Sequence, residues 1–182
     1  GTPLLVELML NTDFTQAIYD DGYFNIGVTR TTDDIGRGVN NPFGMPLSYS
    51  KLGNMKSDGA IPAHYDPFVW ELPANVPDDL YETVEGAFKA PTLRNIELTG
   101  PYFHNGGAGT FEQGIQFYTR GGNFPEDNKK DLDPAMLPLP ELQNRPELQA
   151  ALIAFLHTLT DERVRLEQAP FDHPSLQVPH YA

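Results

Sequence analysis

Seventeen prolines and sixteen glycines are scattered through the 182 residues and gather into no low-complexity run. Proline removes a backbone donor and fixes one dihedral, and glycine carries a large entropic cost when ordered, so a chain punctuated this way favours short elements and many loops. Charged residues make up only 20% and aromatics 11%, a balance that excludes disorder throughout. The expected object is a folded, loop-rich chain held together by aromatic packing or by a bound group. At this length it suits one domain or part of a larger one.

The net charge and two absences narrow the function. The formal charge of −13 repels nucleic acid and anionic membrane surfaces; it suits a basic electron-donor partner, although many exported proteins are acidic without such a reason. There is no cysteine, which removes disulfides, thiolate ligands, cysteine nucleophiles and the C-x-x-C-H signature of covalent haem attachment. No apolar run approaches the roughly 20 residues of a membrane span. The opening Gly1-Thr2-Pro3 reads as a processed, cleaved or engineered beginning.

Residues 4–18 carry an apolar cluster, Leu4 to Leu10 with Phe14 and Ile18, whose spacing permits a helix without demanding one. Residues 20 to about 72 are rich in turn formers, from Asp21-Gly22 through Asn40-Asn41-Pro42 to Pro62, and predict an extended loop region with one short strand near Tyr23–Val28. So long an irregular stretch points to a functional loop or a partner surface. Two helices are better marked. Thr110-Phe111-Glu112-Gln113 has the form of a capping box, Phe111, Ile115 and Tyr118 recur on one face, and Gly121-Gly122 is a stop. Asn144 is the expected cap of a second helix, with Pro146 and Glu147 in its first turn and Leu148, Leu152, Phe155 and Leu159 as its apolar stripe. Asp131 to Pro140 is a Pro-punctuated connection, and the chain after Arg165 is expected to leave helical geometry and wrap over a surface.

The stretch Gly86 to Gly107, GAFKAPTLRNIELTGPYFHNGG, resembles the F-K-x-P-x-L-R-N-x-x-L-T-x-P-Y-x-H-[ND]-G block of bacterial dihaem cytochrome c peroxidases and MauG-like enzymes. Thr110–Gln113, Phe117–Gly122, Asp20–Val28 and Leu159–Val164 are similar to the same family, while residues 40–80 are weakly so. The resemblance implies a mainly α, cytochrome c-like domain with long irregular loops, part of a larger two-domain dihaem protein. The chain then divides into an apolar N-terminal segment (1–19), a loop-rich region (20–85), the family core (86–165) and an extended tail (166–182). In the family each of two domains carries a C-x-x-C-H motif, the second upstream of the region matching Asp20–Val28. The resemblance therefore implies the C-terminal portion of an exported, periplasmic oxidoreductase that acts on hydrogen peroxide, inactive as this chain alone. Its haem c would be attached through a segment absent from this chain. Partners would be a haem-bearing N-terminal portion, in the same protein or a separate chain, and an electron-donor or substrate protein. The absence of cysteine equally suits a haem-free binding or structural module derived from that fold.

Roles at single positions follow from the resemblance. Tyr118 stands where the family places the distal axial ligand of the C-terminal haem; read from its helix alone it is a core tyrosine needing one hydroxyl partner. A phenolate is a hard oxygen donor that favours ferric and higher iron states. His104 corresponds to a histidine near the haem edge, against the plain reading of a hydrogen-bonded structural residue. Arg94 corresponds to a position near the haem propionates, where a guanidinium fork suits carboxylates; otherwise it is a surface arginine. Thr99 and Pro101 fall where the family uses backbone carbonyls to hold calcium between domains. His64, His157, His173 and His180 have no metal-ligand spacing, with His157 expected to be exposed off its stripe. Trp70 reads as a packing residue in preference to an electron relay.

Overall fold

The computed structural model describes residues 5–35, 37, 40–64 and 80–172. Trp70, His173 and His180 lie outside the described residues.

The apolar segment near the N-terminus is a hairpin, not a helix. Strand β1 (Val6–Leu10) pairs antiparallel with β2 (Gln16–Asp20) in the register Val6↔Asp20 to Leu10↔Gln16. The reason is the turn chemistry of Asn11-Thr12-Asp13. The Asp13 carboxylate accepts the Thr15 amide at 3.0 Å and its hydroxyl at 2.6 Å, Phe14 takes a positive φ of 65°, and the Asn11 amide donates to the Thr15 carbonyl at 2.9 Å. Asx geometry of this kind competes directly with helix. Val6 and Ile18 are buried, and Leu5, Leu8 and Leu80 pack against them.

The predicted strand at Tyr23–Val28 is shorter, spanning only β3 (Tyr23–Phe24). Among its described residues the loop-rich region holds an α-helix that the sequence did not announce, α1 (Tyr49–Ser57). Its cap is partly remote: the Asp20 carboxylate, at the end of β2, accepts the Ser50 amide at 2.8 Å and the Ser50 hydroxyl at 2.7 Å, while Ser48 accepts the Lys51 amide at 3.1 Å. Two two-residue strands follow, β4 (Tyr81–Glu82), parallel to β2, and β5 (Phe88–Lys89), antiparallel to β3. Two small sheets thus stand beside short helices and long loops.

Helix α2 (Phe111–Thr119) begins at its expected cap, with the Thr110 hydroxyl accepting the Gln113 amide at 3.3 Å. The Gln113 side chain reaches one residue further back than a reciprocal box requires and accepts the Gly109 amide at 2.7 Å. Phe111, Ile115 and Phe117 are buried, and Gly121 and Gly122 end the helix at φ of 82° and 91°. Phe117 joins Val28, Leu132 and Met136 in the main core, with Ile26 and Phe103 against it. The connection from Asp131 to Pro140 therefore supplies core residues. Between these elements runs a polar interior. Asn25 donates to the Thr31 hydroxyl at 2.9 Å, and Asn128 accepts the Thr31 amide at 2.8 Å and donates to the Thr29 carbonyl at 2.7 Å. Thr83 donates to Asn11 at 3.0 Å. Amide side chains so buried must be paired, and here they fix loops that no apolar period would hold.

The short helices α3 (Pro125–Asn128) and α4 (Pro140–Gln143) precede α5 (Pro146–His157) and α6 (Glu162–Arg165). Asn144 does not cap α5. It closes α4, donating to the Pro140 carbonyl at 2.9 Å, and the residue before α5 is Arg145. Pro140 opens a turn of its own, so the asparagine meets a helix end. The stripe of α5 is also not core: Leu148, Leu152 and Phe155 are exposed, and no residue of this helix is fully buried. Beyond α6, capped by Asp161, the described residues 166–172 are not helical, and the Arg163 guanidinium lies 5.6 Å from the Phe171 ring centre. Among the described residues no helix is long and apolar enough to cross a membrane.

Candidate functional site

Tyr118 stands on α2 between Phe111 and Phe117 in helical projection. The expectation that it shares the burial of Phe111 and Ile115 fails: Ile115 is 6% exposed and Phe117 1%, but Tyr118 is 45% exposed. One turn position decides this, because Phe117 points into the Val28–Leu132–Met136 core and Tyr118 leans over its rim. Its ring contacts Phe103 at 6.1 Å and Phe117 at 5.3 Å between centroids. Its hydroxyl has no hydrogen-bond partner among the described residues. Partial burial pushes the phenol above its ordinary value, since desolvation disfavours the phenolate.

Elements packed on or near α2 carry exposed apolar side chains. Leu93 and Leu98 lie on the segment that precedes α2, and Leu148, Leu152 and Phe155 lie on α5; all five are exposed. α5 packs against both α2 and the single turn at Ile96–Leu98, so these residues belong to one group of neighbouring elements. Arg94 is exposed on the same segment, and its guanidinium pairs with no described residue. Its backbone amide donates to the Thr92 hydroxyl at 3.2 Å.

Thr99 ends the Ile96–Leu98 turn and donates its hydroxyl back to the Ile96 carbonyl at 3.0 Å. The Gly100–Pro101 peptide is cis. Thr99 and Pro101 lie at an exposed corner, and neither carbonyl accepts a hydrogen bond from a described residue. Among the described residues no three His, Cys, Asp or Glu side chains are grouped to hold a metal ion, so an ion at this corner would depend on such carbonyls.

His104 is not isolated. Its Nε2 lies 2.8 Å from Oδ2 of the buried Asp34, and its ring is stacked on Phe88 at 3.6 Å and 7°. Asp34 had no motif to mark it. Glu97 was missed in the same way. Its carboxylate takes the Arg165 guanidinium, the Thr160 hydroxyl at 3.0 Å and His157 Nδ1 at 3.1 Å. His157 is exposed, as expected, but engaged, with its ring edge-on to Phe111 at 5.1 Å. Asn95, at a positive φ of 57°, adds a bond from the Asp161 amide to its side chain at 2.8 Å. The Arg94–Pro101 segment is thereby clasped to α5 and α6.

This clasp has a sign with pH. Arg165 first, then Thr160, hold the Glu97 carboxyl below its ordinary value. A carboxylate depressed in the fold contributes stability above its unfolded value, and that contribution is lost as pH falls through the folded one. Wild type and Glu97→Gln are expected to differ in melting temperature at neutral pH and to converge in acid, below the ordinary glutamate range. A difference independent of pH would show that the ionised carboxylate does not supply the clasp.

No family model matches the chain, and no solved structure matches it significantly. Curated relatives do. The cytochrome c551 peroxidase of Nitrosomonas europaea is 35% identical over 118 residues, 64% of this chain and 27% of that protein. The methylamine utilization protein MauG of Paracoccus denitrificans is 39% identical over 92 residues, 43% of this chain and 24% of that protein. The cytochrome-c peroxidase IdrP1 of Denitromonas iodatirespirans is 35% identical over 75 residues, 41% of this chain and 18% of that protein. The chain spans about a quarter or less of the length of these relatives. With no cysteine it has no C-x-x-C-H motif and no site for covalent haem attachment. By this partial homology the chain is a relative of the dihaem cytochrome c peroxidases and MauG.

Proposed function

We propose that this chain is the C-terminal, cytochrome c-like portion of a periplasmic dihaem oxidoreductase that reduces peroxide or carries out MauG-like oxidation. In this reading it supplies one wall of a haem pocket whose covalent anchor lies on a haem-bearing partner segment or chain. The observation that carries the reading is the half-buried Tyr118 on the rim of the core, whose hydroxyl has no hydrogen-bond partner among the described residues. A buried or half-buried phenol ordinarily finds a hydrogen bond, and the position is the one where the family resemblance expects an axial ligand.

In this reading Tyr118 would hold the iron through its phenol oxygen, a hard donor. Phe103 and Phe117 hold the ring in place. Arg94, whose guanidinium pairs with no described residue, would meet the propionates. His104 would stand near the haem edge. Thr99 and Pro101, whose carbonyls accept no hydrogen bond from a described residue, would offer them to a calcium ion, a hard cation that takes such oxygens readily. When bound, the haem supplies the electron transfer and the peroxide-linked redox chemistry. Leu148, Leu152 and Phe155 exclude water from the face that the partner covers. The complete absence of cysteine supports a second reading, a haem-free binding module on the same fold.

The absorption spectrum of the native assembly separates the two. A Soret band in material that contains this chain and a haem-bearing partner supports the first reading, and its absence supports the second. Within the first, Tyr118→Phe is expected to change the ferric spectrum while leaving the far-ultraviolet circular dichroism intact, because it removes the oxygen and keeps the ring. An unchanged ferric spectrum would return Tyr118 to a packing role.

A further inference from the structure

Three segments distant in sequence converge on His104. The turn after the Thr31–Asp33 helical turn brings Asp34, β5 brings Phe88, and the Tyr102–Gly106 turn brings His104 itself. The Asp34 side chain is only 6% exposed, and its Oδ2 also accepts the Thr29 hydroxyl at 2.6 Å. An ionised carboxylate is an acceptor-only group, and His104 Nε2 lies 2.8 Å from the same oxygen. The ring of His104 is 22% exposed in its side chain, so one edge faces the buried carboxylate while the stack on Phe88 fixes its plane. Among the described residues Asp34 is the one charged group that His104 meets.

We propose that Asp34 is a positioning residue for His104. It holds the neutral imidazole with its proton on Nε2 and so leaves Nδ1 as an open acceptor. A carboxylate opposite one ring nitrogen fixes the tautomer through the hydrogen bond it accepts. His104 then presents an unprotonated Nδ1, in place of a purely structural histidine. This arrangement of the proton does not depend on the proposed function.

The uniformly 15N-labelled chain tests the arrangement. At a pH where histidine is neutral, two-bond 15N–1H correlations report which nitrogen carries the proton, and His104→Gln identifies the signal by its loss. The expected result is a single tautomer protonated at Nε2. Asp34→Asn places an amide N–H against Nε2 and is expected to move the proton to Nδ1, and Thr29→Val, which spares the carboxylate, is expected to leave it in place. A rapidly exchanging mixture in the wild type, or an unchanged tautomer in a folded Asp34→Asn chain, overturns the proposal. If Asp34→Asn fails to fold, the wild-type and Thr29→Val spectra still decide. Absence of haem from the native assembly would overturn the proposed function and leave the tautomer result standing.

Discussion

Phe117→Ala is expected to cost about 3–5 kcal/mol, the range for deleting a buried aromatic from a packed core. Phe117 is 1% exposed, lies in the cluster of Val28, Leu132 and Met136, and meets Phe103 at 4.4 Å and 50°. Four chain segments share that cluster, so a cavity there cannot be closed by moving one of them. Such a loss consumes much of the roughly 5–15 kcal/mol that holds an ordinary domain folded. Phe155→Ala provides the contrast. Phe155 is 54% exposed on α5, and substitution at the surface typically stays within about 0.5 kcal/mol. Denaturant midpoints of both variants measure the difference. Equal losses would mean that α5 is as much a part of the core as α2. A Phe155→Ala loss that appears only in the assembly would place its side chain under the partner.

What could be read from the sequence was what local chemistry decides. Helix α2 was legible because its cap, its apolar spacing and its glycine stop all lie within thirteen residues, Thr110 to Gly122. Helix α1 was not, because Tyr49–Ser57 has little apolar period and much of its N-terminal capping comes from Asp20 on another element. The hairpin of β1 and β2 was not read from the sequence, because its turn, Asn11-Thr12-Asp13, is embedded in an apolar cluster whose spacing also permits a helix. Asn144 is a fair cap residue in either direction, and only the fact that Pro140 opens α4 decides that it closes one helix instead of starting the next.

The candidate site divides along the same line. The resemblance marked Tyr118, His104, Arg94, Thr99 and Pro101, and periodicity put Tyr118 on the apolar side of α2. Periodicity cannot tell the centre of an apolar face from its rim, which is why the exposure of Tyr118 and of the α5 stripe emerged only from the packing. Asp34 and Glu97 were invisible because a carboxylate is recognised by what it meets. His104, and the trio Arg165, Thr160 and His157, reach them from far along the chain. The surface left uncovered is the one on which the proposed function depends, and the amide-rich interior explains how the loops behind it stay ordered without a large apolar core.

Gly121→Ala is expected to lose more stability than any other single-methyl addition at the end of α2. Gly121 sits at a φ of 82°, and a Cβ there would stand 2.6 Å from the Met136 carbonyl oxygen and 3.1 Å from Pro138 Cδ. The left-handed conformation alone costs a non-glycine residue roughly 1–2 kcal/mol. The contact adds to this, because a backbone carbonyl cannot swing aside as a flexible side-chain end can. Met136 is a core residue packed with Phe117, so moving its carbonyl disturbs the cluster on which Tyr118 rests. Gly22→Ala separates the two contributions: Gly22 has a φ of 80° but nothing within 4 Å of an added Cβ, so it bears only the conformational cost. Denaturant unfolding of the two variants should place Gly121→Ala clearly below Gly22→Ala. In a haem-bearing assembly only Gly121→Ala should also alter the iron spectrum, since the Gly121 amide donates to the Tyr118 carbonyl at 3.1 Å. Equal losses in the two variants would show that the turn at Gly121 has room to relax and that the close approach of Met136 does not fix the end of α2.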